Sequence, residues 1–135
     1  LNIRSIVRTA NAFNVSGVHI VGKRDLNKRG AMVTDRYLKI VHHPTVEDFG
    51  TWCKENNLPI IGIDNMPSST QLESAQIPES CVLLFGQEGA GMSDEALAVC
   101  DVLYEINQYG STRSMNASAA GAIAMYHWAL QHLPR

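Results

Sequence analysis

The chain has 135 residues, a formal net charge of −2, 45% hydrophobic residues and 18% charged residues. That length and balance suit one globular domain and exclude a disordered chain, which would be poorer in apolar residues and richer in charge. No apolar run approaches the ~20 residues a bilayer-spanning helix requires, and the start, Leu1–Arg8, lacks the layout of a signal peptide. Cys53, Cys81 and Cys100 are well separated and form no CxxC pair. Neither a zinc site nor a disulfide framework is expected, and a reducing cytoplasm is the expected location.

The mild net charge conceals an asymmetry. Residues 1–43 hold eight Lys/Arg against Asp25 and Asp35, for +6, whereas residues 44–135 hold three Lys/Arg against eleven acids, for −8. Lys23, Arg24, Lys28, Arg29, Arg36 and Lys39 form one basic stretch. Such a patch attracts a polyanion even on a mildly acidic protein, although on charge alone an ordinary solvated loop is the commoner explanation.

In chain order, Ile3, Ile6, Val7, Ala10 and Phe13 recur at helical spacing. Asn2 is placed to cap this helix and Asn14 to end it. Val18–Gly22 reads as a short buried strand, Lys23–Arg36 as a loop, and Tyr37–Val41 as a second strand. Thr45-Val46-Glu47-Asp48 is a capping signal for a helix through Phe49, Trp52 and Cys53 to about Asn57. Pro59–Asp64, Val82–Gly86 and Val102–Ile106 read as further strands. Ser93-Asp94-Glu95 opens a short helix ending near Cys100, and a last helix is expected from about Met115 to His132. Strands alternating with helices predict an α/β fold, a mostly parallel sheet flanked by helices. Ligands in such sheets bind beyond the carboxyl ends of the strands, here the loops after Asp64, Gly86 and Ile106.

Two of those loops carry unusual chemistry. Gly86-Gln87-Glu88-Gly89-Ala90-Gly91 concentrates three glycines between a strand and a helix, which lets backbone turn sharply and approach a ligand. It is neither a Walker loop nor a dinucleotide fingerprint, since no Lys-Ser/Thr follows and the glycine spacing differs. Glu88 is either a turn-stabilising carboxylate or a functional group at a strand mouth. Ile106 to Asn116 (INQYGSTRSMN) is dense in hydrogen-bonding groups and runs into the last helix. Free N–H groups there suit an anion or polar ligand, and Ser114 or Asn116 equally suits a cap. A serine-hydrolase reading is weak, because the Gly-x-Ser-x-Gly elbow is absent.

Three segments together, Asn2–Ala10 (NIRSIVRTA), Leu83–Ser93 (LLFGQEGAGMS) and Ile106–Ser118 (INQYGSTRSMNAS), resemble the motifs of the SpoU/TrmH-type RNA ribose 2′-O-methyltransferases of the SPOUT class. The resemblance spans nearly the whole chain. It implies a single catalytic domain over 1–135, an α/β fold with a deep C-terminal trefoil knot, and a homodimer. The knot is beyond ordinary topology rules, which exclude knots by default. The motif positions imply catalytic roles for Asn2, Arg8, Glu88, Ser114 and Asn116. They imply S-adenosylmethionine held at Gly86, Ile106 and Met115, largely through backbone, with Ile63 and Gly110 as neighbours. Lys23, Arg24, Lys28, Arg29 and Arg36 become RNA-binding candidates, and no metal is required. The expected reaction is methyl transfer to a ribose 2′-hydroxyl of tRNA or rRNA. The alternatives are a non-catalytic RNA-binding domain of the same fold and, ranked lower, a nucleotide-binding hydrolase. Departures from the pattern are Arg4 at a small-residue position, Asn14 for Gly and Asn107 for a frequent Pro. A strand that usually precedes the motif asparagine is expected to lie outside the given residues.

Overall fold

The computed structural model describes residues 15–22, 39–66, 69–86, 91–108 and 117–134. In order these form β1 (Gly17–Val21), β2 (Lys39–His43), α1 (Val46–Glu55), β3 (Ile60–Ile63), β4 (Thr70–Gln71), a 3-10 turn (Leu72–Ser74), β5 (Val82–Phe85), α2 (Asp94–Val99), β6 (Val102–Glu105) and α3 (Ala117–His132). The expected first helix and the basic loop Lys23–Arg36 lie outside the described residues.

The short helices start where side chains satisfy their first N–H groups. Thr45 Oγ1 accepts from the Asp48 N–H at 3.0 Å, and Ser93 Oγ accepts from the Ala96 N–H at 3.1 Å. Acidic residues fill both first turns, Glu47 and Asp48 in α1 and Asp94 and Glu95 in α2, where they face the positive end of the helix dipole. α1 stops at Glu55, slightly short of the expected Asn57, and Asn57 takes a left-handed conformation, φ 55°. Asn tolerates that region and so ends the helix.

Every strand pair among the described residues is parallel. Among the described residues the strands form a two-stranded sheet β1-β2 and a four-stranded sheet in the order β4-β6-β3-β5. The expected mostly parallel α/β fold flanked by helices is borne out. Two strand boundaries move. β1 lies one residue earlier than the apolar pattern alone suggests, and β2 continues two residues past the expected Val41 to His43. His42 and His43 read as polar in sequence, yet His43 is only 6% exposed because His19 receives it.

Alternation along the strands sorts side chains to two faces. Ile61, Ile63, Leu83, Phe85, Val102 and Tyr104 pack with Leu72, Ala75, Ile77 and Ala124 on the α3 side. Ile60, Val82 and Leu84 pack with Phe49 and Cys53 of α1 and with Val99 on the other. Met125 of α3 reaches Val18 and Ile40 as well as Leu83, so one helix covers both sheets. The result is a three-layer α/β/α arrangement, which accounts for strands that are apolar in consecutive positions.

On the α1 side, His19 Nδ1 lies 2.8 Å from His43 Nε2, with Trp52 and Phe49 packed against both rings. One N–H is shared between two ring nitrogens, so the bond requires at least one neutral ring. Burial first, then the neighbouring His43 and Lys39, push His19 below its ordinary value of 6.5. Burial first, then His42, push His43 down, with Asp48 opposing. The unfolded chain therefore takes up protons near pH 6.5 that the folded chain resists. The stability contributed by the neutral pair is present above that value and is lost as pH falls through the depressed folded values. The urea midpoint is expected to drop between about pH 7 and about pH 5, more steeply in the wild type than in His19→Phe. Equal pH slopes in the two proteins would show that the pair carries no such linkage.

Candidate active site at the strand ends

In-register pairing aligns the carboxyl ends of the central strands. Ile63 of β3 lies opposite Phe85 of β5 and Tyr104 of β6. The residues that leave the sheet, Asp64, Gly86 and Ile106, therefore emerge side by side at one edge. That edge is where open parallel sheets bind ligands.

The main chain at Gly91–Met92 lies against Gly86, where β5 ends. A Cβ at Gly86 would sit 2.3 Å from the Gly91 carbonyl carbon, 2.4 Å from the Met92 nitrogen and 2.6 Å from the Gly91 oxygen. These are backbone atoms with no flexible end to yield, so only glycine permits the approach. Gly91 itself is left-handed, φ 72°. This main chain is tied to β3: Asp64 Oδ2 accepts from the Met92 N–H at 3.3 Å, while Oδ1 accepts from the Asn65 N–H at 2.9 Å. The Asp64 N–H donates to the Tyr104 carbonyl at 3.0 Å, which fixes the carboxylate relative to β6. Gly86 and Gly91–Met92 are thus packed backbone against backbone, with the Asp64 carboxylate beside them. Neighbouring Cys100 offers no nucleophile at neutral pH. Burial first, then Asp101 and Asp64, push its thiol up to about 11.

Beyond β6, Ile106 packs against the α3-side core, and Asn107 is held by Gln71 and Glu73. Ile106 also lines an open, mainly apolar groove of about 170 Å³ with Leu72, Glu73, Ile123, Tyr126 and Leu130. Among the described residues, no group of three or more His, Cys, Asp or Glu side chains is placed to hold a metal ion.

Of the residues expected in the site, Ile63, Gly86 and Ile106 are brought together at this edge. Ile63 is 7% exposed with its side chain in the core, so what it offers a ligand is main chain. Asn2, Arg8, Glu88, Gly110, Ser114, Met115 and Asn116 lie outside the described residues, as do Lys23, Arg24, Lys28, Arg29 and Arg36. Segments 87–90 and 109–116 of the second and third motifs lie outside them as well. Sequence reasoning passed over Asp64 and Asn107 as site residues. The available signal was a polar residue immediately after a buried apolar run, at the mouth of a strand.

The fold and this edge define an α/β domain with the ends of its central parallel strands gathered at one edge. The model of the SpoU rRNA Methylase family matches residues 1–126, and the chain belongs to that family. Relatives include the tRNA (guanosine(18)-2′-O)-methyltransferase of Borreliella burgdorferi, 28% identical over 128 residues, covering 93% of this chain and 59% of that protein. The enzyme of the same name from Escherichia coli (strain K12) is 28% identical over 128 residues, covering 93% and 56%. The chain thus spans less than two thirds of these relatives. Among solved structures, an AdoMet-bound rRNA methyltransferase from Sinorhizobium meliloti matches with a TM-score of 0.86 and 26% identity, covering 99% of this chain and 52% of that one. The SpoU methyltransferase AviRb from Streptomyces viridochromogenes, in complex with AdoMet, matches with a TM-score of 0.86 and 24% identity, covering 96% and 52%.

Gly86→Ala is expected to lower stability by about 1–3 kcal/mol, since the new methyl overlaps backbone. Asp64→Asn is expected to cost about 1–2 kcal/mol by weakening the bonds to two N–H groups. Urea unfolding of both variants measures these losses.

Proposed function

We propose that the chain is the catalytic domain of an RNA ribose 2′-O-methyltransferase that uses S-adenosylmethionine and acts on tRNA or rRNA. The carrying observation is the backbone contact of Gly86 with Gly91–Met92, beside the ends of the strands that lead to Ile63 and Ile106, in a chain of the SpoU rRNA Methylase family. Close backbone packing at Gly86 leaves peptide groups rather than side chains at this strand end, which suits a ligand held by main chain. The relatives that methylate guanosine 18 of tRNA favour a tRNA substrate, and the AdoMet-bound neighbours favour this methyl donor.

When bound, S-adenosylmethionine supplies an electrophilic methyl group on a sulfonium. Held there, the donor would give its methyl group to a ribose 2′-oxygen and become a neutral thioether, with the hydroxyl proton passing to water. The hydroxyl is a poor nucleophile at neutral pH, and in-line placement carries much of the rate. In this reading Gly86, Ile106 and Met115 hold the donor, with Ile63 and Gly110 beside them. Asn2, Ser114 and Asn116 orient the ribose, and Glu88 organises the glycine loop. Arg8 holds a phosphate or the developing alkoxide. Its guanidinium, with a pKa above ~12, acts by charge rather than as a base. Lys23, Arg24, Lys28, Arg29 and Arg36 supply the phosphate-binding surface, and the acidic remainder of the chain suits a cationic donor. The cytoplasm, where tRNA and rRNA are modified, is the location this reading favours. Among the described residues no helix is long and apolar enough to cross a membrane.

The same reading includes a homodimer. Ile123, Tyr126 and Leu130 are 41%, 55% and 43% exposed and follow one another at three- and four-residue spacing along α3. They form an apolar stripe on the helix face opposite buried Ala124 and Met125.

Calorimetry is expected to show one S-adenosylmethionine site per chain, and Arg8→Ala is expected to reduce methyl transfer to RNA by about 10²-fold or more with binding of the donor retained. No donor binding by the wild type would refute the reading, and binding without transfer in either protein would favour the non-catalytic RNA-binding domain. Sedimentation is expected to give a dimer at micromolar concentration and a monomer for Ile123→Glu. A wild-type monomer would remove the homodimer.

A further inference from the structure

Asn107, half-buried just past the end of β6, uses both ends of its carboxamide. Its Oδ1 accepts from Nε2 of Gln71 at 3.2 Å, and its Nδ2 donates to Oε2 of Glu73 at 3.1 Å. The two partners sit on a rigid mount. Gln71 ends β4, Glu73 lies in the 3-10 turn, and Leu72 between them is 3% exposed in the core. The β4-β6 ladder pairs Thr70 with Tyr104 and Gln71 with Glu105, then stops. Ile106 is therefore the first residue beyond the ladder, with the ladder on one side and the Asn107 side-chain bonds on the other.

We propose that Gln71, Asn107 and Glu73 form a clasp that holds the Ile106 main chain in place, making them positioning residues for the methyl donor. The inference rests on the reading that Ile106 helps to hold S-adenosylmethionine. The clasp has a polarity. Residue 107 must present an acceptor to Gln71 and a donor to Glu73. A carboxylate at 107 keeps the first bond but sets two like charges against each other at the second. Converting Glu73 to Gln then supplies a donor where the repulsion was, so the pair is restored with its direction reversed.

The test compares wild type, Asn107→Asp, Glu73→Gln and the double variant by calorimetry with S-adenosylmethionine. Amide exchange at residues 106–108 is measured in the ligand-free proteins. Asn107→Asp is expected to weaken donor binding about three- to tenfold and to speed exchange at 106–108. The binding loss should shrink at high salt, which screens the repulsion between the two partly exposed carboxylates. The double variant is expected to recover both readouts to within about twofold of wild type, a rescue that general loss of stability would not give. Wild-type binding together with unchanged affinity in Asn107→Asp, or no rescue by Glu73→Gln, would overturn the clasp alone. Absence of donor binding in the wild type would overturn it together with the reading it rests on.

Discussion

The strand β3 is the constraint on which the other elements depend. It is the one strand of the four-stranded sheet buried along all four residues, Ile60 to Ile63, and it is hydrogen-bonded to β5 on one side and β6 on the other. Both of its ends are locked to β6. At the start, the Asp101 carboxylate accepts from the Ile60 N–H at 2.7 Å while the Asp101 N–H donates to the Ile60 carbonyl at 2.8 Å. At the finish, the Asp64 N–H donates to Tyr104. A slip of one residue would break both locks and turn the α1-side residues toward α3. Register is thus specified twice, by burial on two faces and by a charged hydrogen bond at the strand entry.

Much of this is legible in the sequence where the determining interactions are local. The starts of α1 and α2 are visible because Thr45 and Ser93 bond to N–H groups three residues away. β3, β5 and β6 are visible because burial on both faces makes them uninterrupted apolar runs. β4 is invisible: Thr70 and Gln71 are exposed and polar, and only β6 makes them a strand. The end of β2 is misread for a similar reason. His43 is made an interior residue by His19, 24 positions earlier.

The candidate site divides along the same line. Motif resemblance supplied residue identities, and the three of them that fall within the described residues, Ile63, Gly86 and Ile106, do converge on one edge. What the motifs do not convey is how the edge is braced. Asp64 meets Met92 across 28 positions, and Asn107 meets Gln71 and Glu73 across 36 and 34. Supporting contacts of that kind depend on the register of β3, so they become visible only once the sheet is assembled. The glycine pattern is the reverse case. A Gly at 86 is conspicuous in sequence, and the folded chain supplies its reason, a backbone that passes within the volume a methyl group would occupy.

The extended segment between the 3-10 turn and β5 is held by α3 in an unusual way. The Gln131 carboxamide donates to the Ala75 carbonyl at 2.8 Å and accepts from the Ile77 N–H at 2.9 Å, and His132 bonds to the Ile77 carbonyl. One side chain thereby presents the same donor–acceptor pair that the peptide group of an adjacent strand would present. The segment lies next to the short edge strand β4, where unsatisfied main chain would template pairing with other molecules. By bonding to Ala75 and Ile77 from a helix, Gln131 keeps the segment extended while taking up the two main-chain groups a neighbouring strand would otherwise pair with.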